Sequence, residues 1–249
     1  MKCVLLVAGF ATRLYPLTLN TPKSLLEIGG KPILDHLLDK LGEIPTLTDI
    51  VLVSNGKFFA QFVHWAVGYL GPLNLRVLND GSMDNETRLG ALGDLALAIR
   101  ELSLEEDTLV MAGDNLFSFS LKEFVDFFYQ RGSDCITTHI VEDEKKLQRT
   151  GVVVLNEDDK VLEFEEKPKK PKSSFAVPPI YLFQGSTLPL LSRYLQEGGN
   201  PDAPGNFIPW LLEKKTVFAF RFQGKRYDIG TPESLEEARR EYRGIDISA

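Results

Sequence analysis

One stretch near the start concentrates residue types that can handle phosphate. It runs Ala8-Gly9-Phe10-Ala11-Thr12-Arg13-Leu14-Tyr15-Pro16-Leu17-Thr18, continues as Asn20-Thr21-Pro22-Lys23-Ser24-Leu25-Leu26 and closes on Gly29-Gly30-Lys31-Pro32. A turn of small residues directly after an apolar run lets backbone N–H groups approach an anion closely. Arg13 offers a planar fork matched to phosphate oxygens, and Lys23 a mobile point charge. Two familiar phosphate loops are excluded. Counting back from Gly30-Lys31-Pro32, Leu25 stands where a Walker A loop needs its first glycine, and Gly9-Phe10-Ala11-Thr12-Arg13-Leu14 lacks the later glycines of a dinucleotide fingerprint. The next strand-like run ends in Ser54-Asn55, with no acid to hold a ribose. On these residues alone, an ordinary strand-to-helix turn with surface cations stands level with a phosphate site.

Three further positions carry chemistry-bearing side chains. Asp114 follows an apolar run in Gly113-Asp114-Asn115, Asp228 sits in Tyr227-Asp228-Ile229-Gly230-Thr231, and Glu166 and Lys167 fall in Glu165-Glu166-Lys167-Pro168. Carboxylates are hard oxygen donors suited to a divalent cation, yet each aspartate also suits an ordinary turn. Lys169, Lys170 and Lys172 read as solvated. His36, His64 and His139 are scattered, with neither triad nor metal-ligand spacing, and read as structural. Phe124, Phe127 and Phe128 read as packing residues rather than a base-stacking platform.

The elements that must position these residues alternate through the first half. Lys2–Ala8 and Asp49–Ser54 read as buried strands, Leu75–Leu78 as a short strand, and Thr108–Ala112 as an apolar strand. Between them, Pro32–Leu41 places Ile33, Leu34, Leu37, Leu38 and Leu41 on one helical face. Phe58–Tyr69 is helical, and Leu89–Leu102 aligns Leu92, Leu95, Ala96, Ile99 and Leu102. Leu121–Gln130 aligns Leu121, Phe124, Val125 and Phe128. Strand feeding helix in this order implies a largely parallel sheet.

In the second half, Gly151–Leu155 and Val161–Phe164 form a hairpin, and Lys167–Ser174 is a polar loop. Ile180–Phe183 and Val217–Phe222 read as strands, with a helix around 206–214 between them. Thr231-Pro232-Glu233 is a helix start, with an N-cap hydroxyl, a proline and a first-turn acid. With no internal repeat and no linker, residues 1–249 read as one domain. The expected class is α/β: a Rossmann-like domain with a mostly parallel mixed sheet flanked by helices on both faces.

Composition bounds the partners. The 249 residues carry 28 Lys and Arg against 35 Asp and Glu, a formal net charge of −7. With a pI near 5.1, a nucleic-acid scaffold is excluded, because that role needs a broad basic face; a small phosphate ligand needs only a few local cations. No apolar run approaches the roughly 18 residues of a membrane span. The start is too short in its apolar run, and too soon interrupted by Arg13, for a signal peptide. Cys3 and Cys135 both fall in strand-like runs, which points to a reduced, cytoplasmic protein with neither a disulfide framework nor a metal cluster.

Taken together, the motifs from residue 8 to residue 231 resemble those of the sugar-1-phosphate nucleotidylyltransferases, nearest the glucose-1-phosphate thymidylyltransferase group. That family reads glycine-rich loop, Thr-Arg-Leu, Pro, Thr, then Pro-Lys-x-Leu and Gly-Lys-Pro. The match continues through Gly113-Asp114-Asn115, Glu165-Glu166-Lys167-Pro168 and Tyr227-Asp228-Ile229-Gly230-Thr231. The reaction this implies is in-line attack by a sugar-1-phosphate oxygen on the α-phosphorus of a nucleoside triphosphate, expelling pyrophosphate. Its difficulty is bringing two polyanions together, so positioning and charge neutralisation carry the catalysis.

By resemblance, Arg13 and Lys23 act on the triphosphate and the leaving pyrophosphate. Ala8, Gly9, Phe10 and Ala11 line the nucleotide, with Asn79 and Gly90 as base contacts. Glu166 binds sugar hydroxyls, Lys167 binds the sugar phosphate, and Asp114 and Asp228 hold Mg²⁺. The expected substrates are dTTP and glucose 1-phosphate. Alternatives are another acceptor, mannose 1-phosphate or phosphocholine, or a non-catalytic nucleotide-sensing relative. The chain runs out soon after Asp228, which leaves no expected room for the left-handed β-helix of some relatives.

Departures from the family pattern fall at both substrates. Ala11 replaces a usual glycine in the loop. Val177-Pro178-Pro179-Ile180-Tyr181 stands where relatives carry Thr-Gly before the Tyr, and its prolines remove backbone donors. Pro204-Gly205-Asn206-Phe207 occupies the region of an arginine that helps hold the sugar phosphate in the thymidylyltransferases.

Overall fold

A computed structural model of the chain describes residues 1–242. Its strands are β1 (Lys2–Leu6), β2 (Glu27–Ile28), β3 (Lys31–Pro32), β4 (Asp49–Ser54), β5 (Asn74–Asn79), β6 (Thr108–Ala112), β7 (Asn115–Phe117), β8 (Asp134–Ile140), β9 (Gly151–Leu155), β10 (Val161–Glu166), β11 (Phe175–Val177), β12 (Ile180–Phe183), β13 (Val217–Arg221) and β14 (Arg226–Asp228). Its helices are α1 (Ile33–Gly42), α2 (Phe59–Val67), α3 (Ala91–Leu102), α4 (Leu121–Arg131), α5 (Glu144–Leu147), α6 (Leu188–Gln196), α7 (Phe207–Leu212) and α8 (Pro232–Glu241). Strand and helix alternate through the first half, and the sheet is mixed. The chain is an α/β protein, as its periodicities imply.

Two compact units divide these elements. One comprises Met1–Val4, Leu89–Met111 and Glu123–Gln223. Its strands run in the order β10-β9-β11-β8-β12-β6. β8 is the hub: β13 pairs with it in parallel along Asp134–Thr138, while β12 and β11 take successive stretches of it antiparallel. Helix α4, whose first two residues fall in the other unit, buries Leu121, Phe124, Val125 and Phe128, as its spacing predicts. Helix α3 starts at Ala91 because Gly90, at φ +82°, is not helical. Its buried face is Leu92, Asp94, Leu95 and Ala98, rotated from the expected one that included Ala96. Helix α6, absent from the sequence reading, buries Leu188, Leu191 and Tyr194.

The other unit comprises Leu5–Arg88, Ala112–Lys122 and the segment from Gly224. β4 and β5 pair in parallel from Asp49↔Asn74 to Ser54↔Asn79. Helix α1 buries all five apolar residues that its sequence aligns, Ile33, Leu34, Leu37, Leu38 and Leu41, each worth about 1.5–3 kcal/mol when removed from water. Lys40 is buried with them, its amine donating to the Phe119 carbonyl at 3.1 Å. Burial lowers the Lys40 pKa, and Glu43 partly offsets that shift. Helix α8 opens with a capping box. Ser234 N–H donates to Thr231 Oγ1 at 3.3 Å, and Thr231 N–H donates to Ser234 Oγ at 3.0 Å.

Two backbone hydrogen bonds arrange this unit for chemistry. Val7 N–H donates to Val53 O at 3.0 Å, and Gly113 N–H to Leu6 O at 3.0 Å. The segments leaving β1, β4 and β6 are thereby held side by side at their carboxyl ends, the edge where open α/β sheets place ligands.

Candidate active site

The segment leaving β1 forms the first wall. Asn55, fully buried after β4, donates its amide to Ala8 O at 2.8 Å and accepts from Phe58 N–H at 2.9 Å, so it pins the start of the glycine turn. Gly9 is exposed, and a Cβ there would meet nothing within 4 Å. The fold itself does not demand a glycine at that position, and its backbone stays open to a ligand. Phe10 is buried at 4 % exposure and anchors the turn from below.

Ala11 holds φ +49° and ψ +42°, the left-handed region, which costs an L-residue roughly 1–2 kcal/mol. Its carbonyl is fixed by Leu14 N–H at 2.9 Å and by Thr18 Oγ1 at 2.8 Å. The 3₁₀ turn Thr12–Leu14 buries Leu14 and leaves Arg13 exposed. A Cβ on Gly230 would lie 3.3 Å from Arg13 Nη2, so the guanidinium lies over the turn after β14.

Lys23 comes from a second 3₁₀ turn, Lys23–Leu25, seated by the buried Ser24. A Cβ on Gly113 would come within 2.4 Å of Val7 Cγ1 and 3.1 Å of Ser24 Oγ. Only glycine lets the segment after β6 pack this closely, and the packing delivers Asp114 to Lys23. β7 then pairs antiparallel with β14, with Asp228 opposite Asn115, and Ile229 N–H donates to Asp114 O at 3.2 Å. Two aspartates distant in sequence are thereby brought together, Asp228 at the end of the two-stranded ladder and Asp114 immediately before it.

Their side chains form a continuous chain. Lys23 Nζ is ion-paired with Asp114 Oδ2. Asp114 Oδ1 accepts from Asn115 Nδ2 at 2.5 Å. Asn115 Oδ1 accepts from Arg226 Nε at 2.6 Å, and Arg226 Nη2 reaches Asp228 Oδ2 at 3.2 Å. Burial pushes the Asp114 carboxyl up, but the Lys23 charge and hydrogen bond, the Asn115 amide and the Arg226 charge outweigh it. Asp114 is therefore held below the ordinary carboxylate range.

The sequence reading overlooked two members of this group, Asn55 and Arg226. Arg226 was legible from strand alternation. Residues two apart on a strand share a face, so Arg226 and Asp228 point the same way while Tyr227, 9 % exposed, turns inward.

Asn79 ends β5 in the same unit, and its Oδ1 accepts from Gly81 N–H at 2.8 Å, shaping the turn that follows. Gly90, Glu166 and Lys167 belong to the other unit. A Cβ on Gly90 would clash with Pro201 O at 2.6 Å. Glu166 packs between Gly151 and Gly205, where added Cβ atoms would come 3.3 Å and 2.0 Å from Glu166 Oε2. Burial raises its carboxyl pKa, and Lys167, with Nζ 3.9 Å from Oε1, partly offsets that. Lys167 is left-handed at φ +50°, with an exposed side chain.

Comparison with known proteins follows the same line. The nucleotidyl transferase family profile matches residues 2–244. The chain is 30% identical over 242 residues to the UTP–glucose-1-phosphate uridylyltransferase AglF of Haloferax volcanii, covering 96% of this chain and 95% of that one. It is 28% identical over 240 residues to the bifunctional protein GlmU of Methanocaldococcus jannaschii, covering 96% of this chain but spanning only 53% of that protein's length. Among solved structures, a proposed glucose-1-phosphate thymidylyltransferase of Bacillus anthracis in complex with sucrose aligns at TM-score 0.77 and 28% identity, covering 100% of this chain and 98% of the other. The chain belongs to the nucleotidyl transferase family, among the sugar-1-phosphate nucleotidylyltransferases.

Proposed function

We propose that residues 1–249 act as one nucleotidylyltransferase domain, joining a nucleoside triphosphate to a sugar 1-phosphate and releasing pyrophosphate. The observation that carries the reading is the run Lys23–Asp114–Asn115–Arg226–Asp228 beside the open turn at Gly9 and the guanidinium of Arg13. Three cations face two carboxylates there, a local excess of positive charge in a chain of net charge −7. In the reaction, a sugar-phosphate oxygen forms the new bond to the α-phosphorus while the α–β bridging bond breaks and its electron pair leaves with pyrophosphate. The attacking oxygen is already anionic, so no base is needed, and charge compensation at the triphosphate is the work the side chains do.

Arg13 and Lys23 bind the triphosphate and then the pyrophosphate. Ala8, Gly9, Phe10 and Ala11 line it, and Asn79 and Gly90 meet the base. Glu166 takes sugar hydroxyls and Lys167 the sugar phosphate. The residues present suit Mg²⁺. Asp114 and Asp228 are hard donors, Asp228 ending β14 and Asp114 immediately preceding its partner β7, and among the described residues no third His, Cys, Asp or Glu joins them. Mg²⁺ binds in that way, through one or two carboxylates, with waters and substrate phosphates completing the shell. When bound, the ion supplies charge neutralisation at the phosphates. Lys23 is paired with Asp114, and a phosphate would offer Lys23 a stronger anion and so free that carboxylate.

We take dTTP and glucose 1-phosphate as the first pair to test and UTP as the next nucleotide, because AglF, whose name carries UTP and glucose 1-phosphate, aligns along almost its whole length. A setting in the cytoplasm completes the proposal. No helix among the described residues is long and apolar enough to cross a membrane. The experiment crosses dTTP, UTP, ATP, GTP and CTP with glucose 1-phosphate, mannose 1-phosphate and phosphocholine, reading pyrophosphate release. Because one phosphoanhydride is exchanged for another, the matching nucleotide-sugar with pyrophosphate and Mg²⁺ should regenerate triphosphate. No turnover in either direction would leave the non-catalytic nucleotide-sensing alternative standing.

A further inference from the structure

Arg226 has no task in the reaction as described, yet it is the best-anchored cation of the group, with a side chain 13% exposed. Its Nε donates to Asn115 Oδ1 at 2.6 Å, and its Nη2 faces Asp228 Oδ2 at 3.2 Å. We propose that Arg226 is a positioning residue that sets which divalent ion the site accepts: by occupying one oxygen of Asp228 it confines that carboxylate to single-oxygen ligation. The inference rests on the metal reading given above.

The geometry supports a restriction on both acids. Asp114 has one oxygen hydrogen-bonded by Asn115 Nδ2, a contact that does not depend on Lys23 and stays when Lys23 turns to phosphate. Asp228 has one oxygen paired with Arg226. A carboxylate oxygen that accepts one N–H bond keeps a second lone pair for a metal. A cationic donor seated on one oxygen fixes the carboxylate's orientation and opposes the rotation that brings both oxygens onto a single ion.

Ca²⁺ gathers six to eight oxygens and readily takes carboxylates bidentate. Mg²⁺ takes six in near-octahedral geometry, one oxygen per carboxylate. Pinned carboxylates therefore suit Mg²⁺ or Mn²⁺ and disfavour Ca²⁺. The pinning depends on the rigid guanidinium fork, which spans Asn115 and Asp228 at once; a lysine ammonium carries the same charge without that fork.

The test uses the full chain with Mn²⁺ as probe, read by water-proton relaxation in the presence of each uncleavable α,β-methylene nucleoside triphosphate. Mg²⁺ and Ca²⁺ are then titrated as competitors. In the unaltered chain, displacement should need far more Ca²⁺ than Mg²⁺. Arg226→Met and Arg226→Lys should both narrow that gap by about tenfold, the low end of what losing a ligand's hydrogen-bond partner costs.

An unchanged gap in Arg226→Met overturns the inference. A gap narrowed in Arg226→Met but intact in Arg226→Lys also overturns it, because charge alone would then set the preference. Should Arg226→Met fail to fold by its thermal midpoint, Arg226→Gln replaces it. An unaltered chain that binds no Mn²⁺ with any nucleotide overturns the metal reading itself, a result distinct from the other two.

Discussion

Replacing Lys23 with Met, in buffer freed of divalent ions, tests the electrostatic core of the site. Burial alone would raise the Asp114 carboxyl, and the two strongest opposing influences both come from Lys23, its charge and its hydrogen bond. In the unaltered chain the Asp114 pKa is depressed, so its stabilising contribution is present above the unfolded value, near 3.9, and is lost as pH falls through the lower folded value. In Lys23→Met only Asn115 and Arg226 still oppose burial, so the Asp114 pKa rises. A raised carboxyl costs stability at neutral pH, and that cost fades as pH falls below its folded value.

Breaking a fully buried ion pair costs about 3–5 kcal/mol. The side chains here are 15% and 26% exposed, and the Arg226 charge remains, so a loss of roughly 2 kcal/mol is expected after screening. For a chain of this size that lowers the melting midpoint by about 4–8 °C. Melts followed by circular dichroism from pH 7.5 to 4.5 should show the deficit shrinking toward acid. A deficit constant across that range, or none at pH 7.5, would refute the assignment of Lys23 as the cation that keeps Asp114 ionised.

Three further outcomes are expected. Ala11→Gly should gain up to about 1 kcal/mol, since release from the left-handed region outweighs the added freedom of the unfolded chain; a lower melting midpoint would mean that the Ala11 methyl packs usefully. Gly9→Ala should melt within about 0.5 kcal/mol of the parent, because its Cβ meets nothing within 4 Å, while triphosphate affinity by calorimetry falls. Equal affinity would remove Gly9 from the ligand surface. Lys167→Ala should raise the KM for sugar phosphate and leave triphosphate binding nearly intact, and the reverse pattern in the same titrations would move Lys167 to the other substrate.

The sequence was most readable where periodicity and punctuation coincide. Helix α1 and strand β4 lie where their apolar spacing puts them, and α8 begins at Thr231-Pro232 because its hydroxyl cap and proline act locally. Helix α6 escaped because Pro189 reads as a breaker, although a proline in the first turn is tolerated and Leu188, Leu191 and Tyr194 recur at helical spacing. At the site, the chemistry-bearing types were visible but their partnerships were not. Nothing local pairs Asp228 with Asn115: that register belongs to two short strands, β7 and β14, distant in sequence, and alternation within either one does not tell which strand it pairs with. Asn55 hid for a similar reason, since its role is to hold the Ala8 carbonyl across the unit, a contact set by β4 running beside the exit of β1.

Backbone strain falls at two of the positions proposed for substrate binding. Among the described residues, four that are not glycine take positive φ: Ala11, Ser103, Asp159 and Lys167. Ser103 and Asp159 sit where strain serves turning, after α3 and between β9 and β10. Ala11 and Lys167 are different. Ala11 occupies the glycine turn and Lys167 the end of β10, the positions assigned to the triphosphate and to the sugar phosphate. Such conformations persist only where the surroundings over-determine them. At Ala11, Leu14 N–H and Thr18 Oγ1 converge on one carbonyl; at Lys167, N–H is tied to Thr150 O at 3.1 Å. Lys167 also precedes Pro168, which restricts its backbone further. An alanine with no side chain to use gains nothing by sitting there, so what the turn preserves at Ala11 is the direction of the backbone around it. At Lys167, proposed for the sugar phosphate, the same strain sets the direction in which the side chain leaves the backbone.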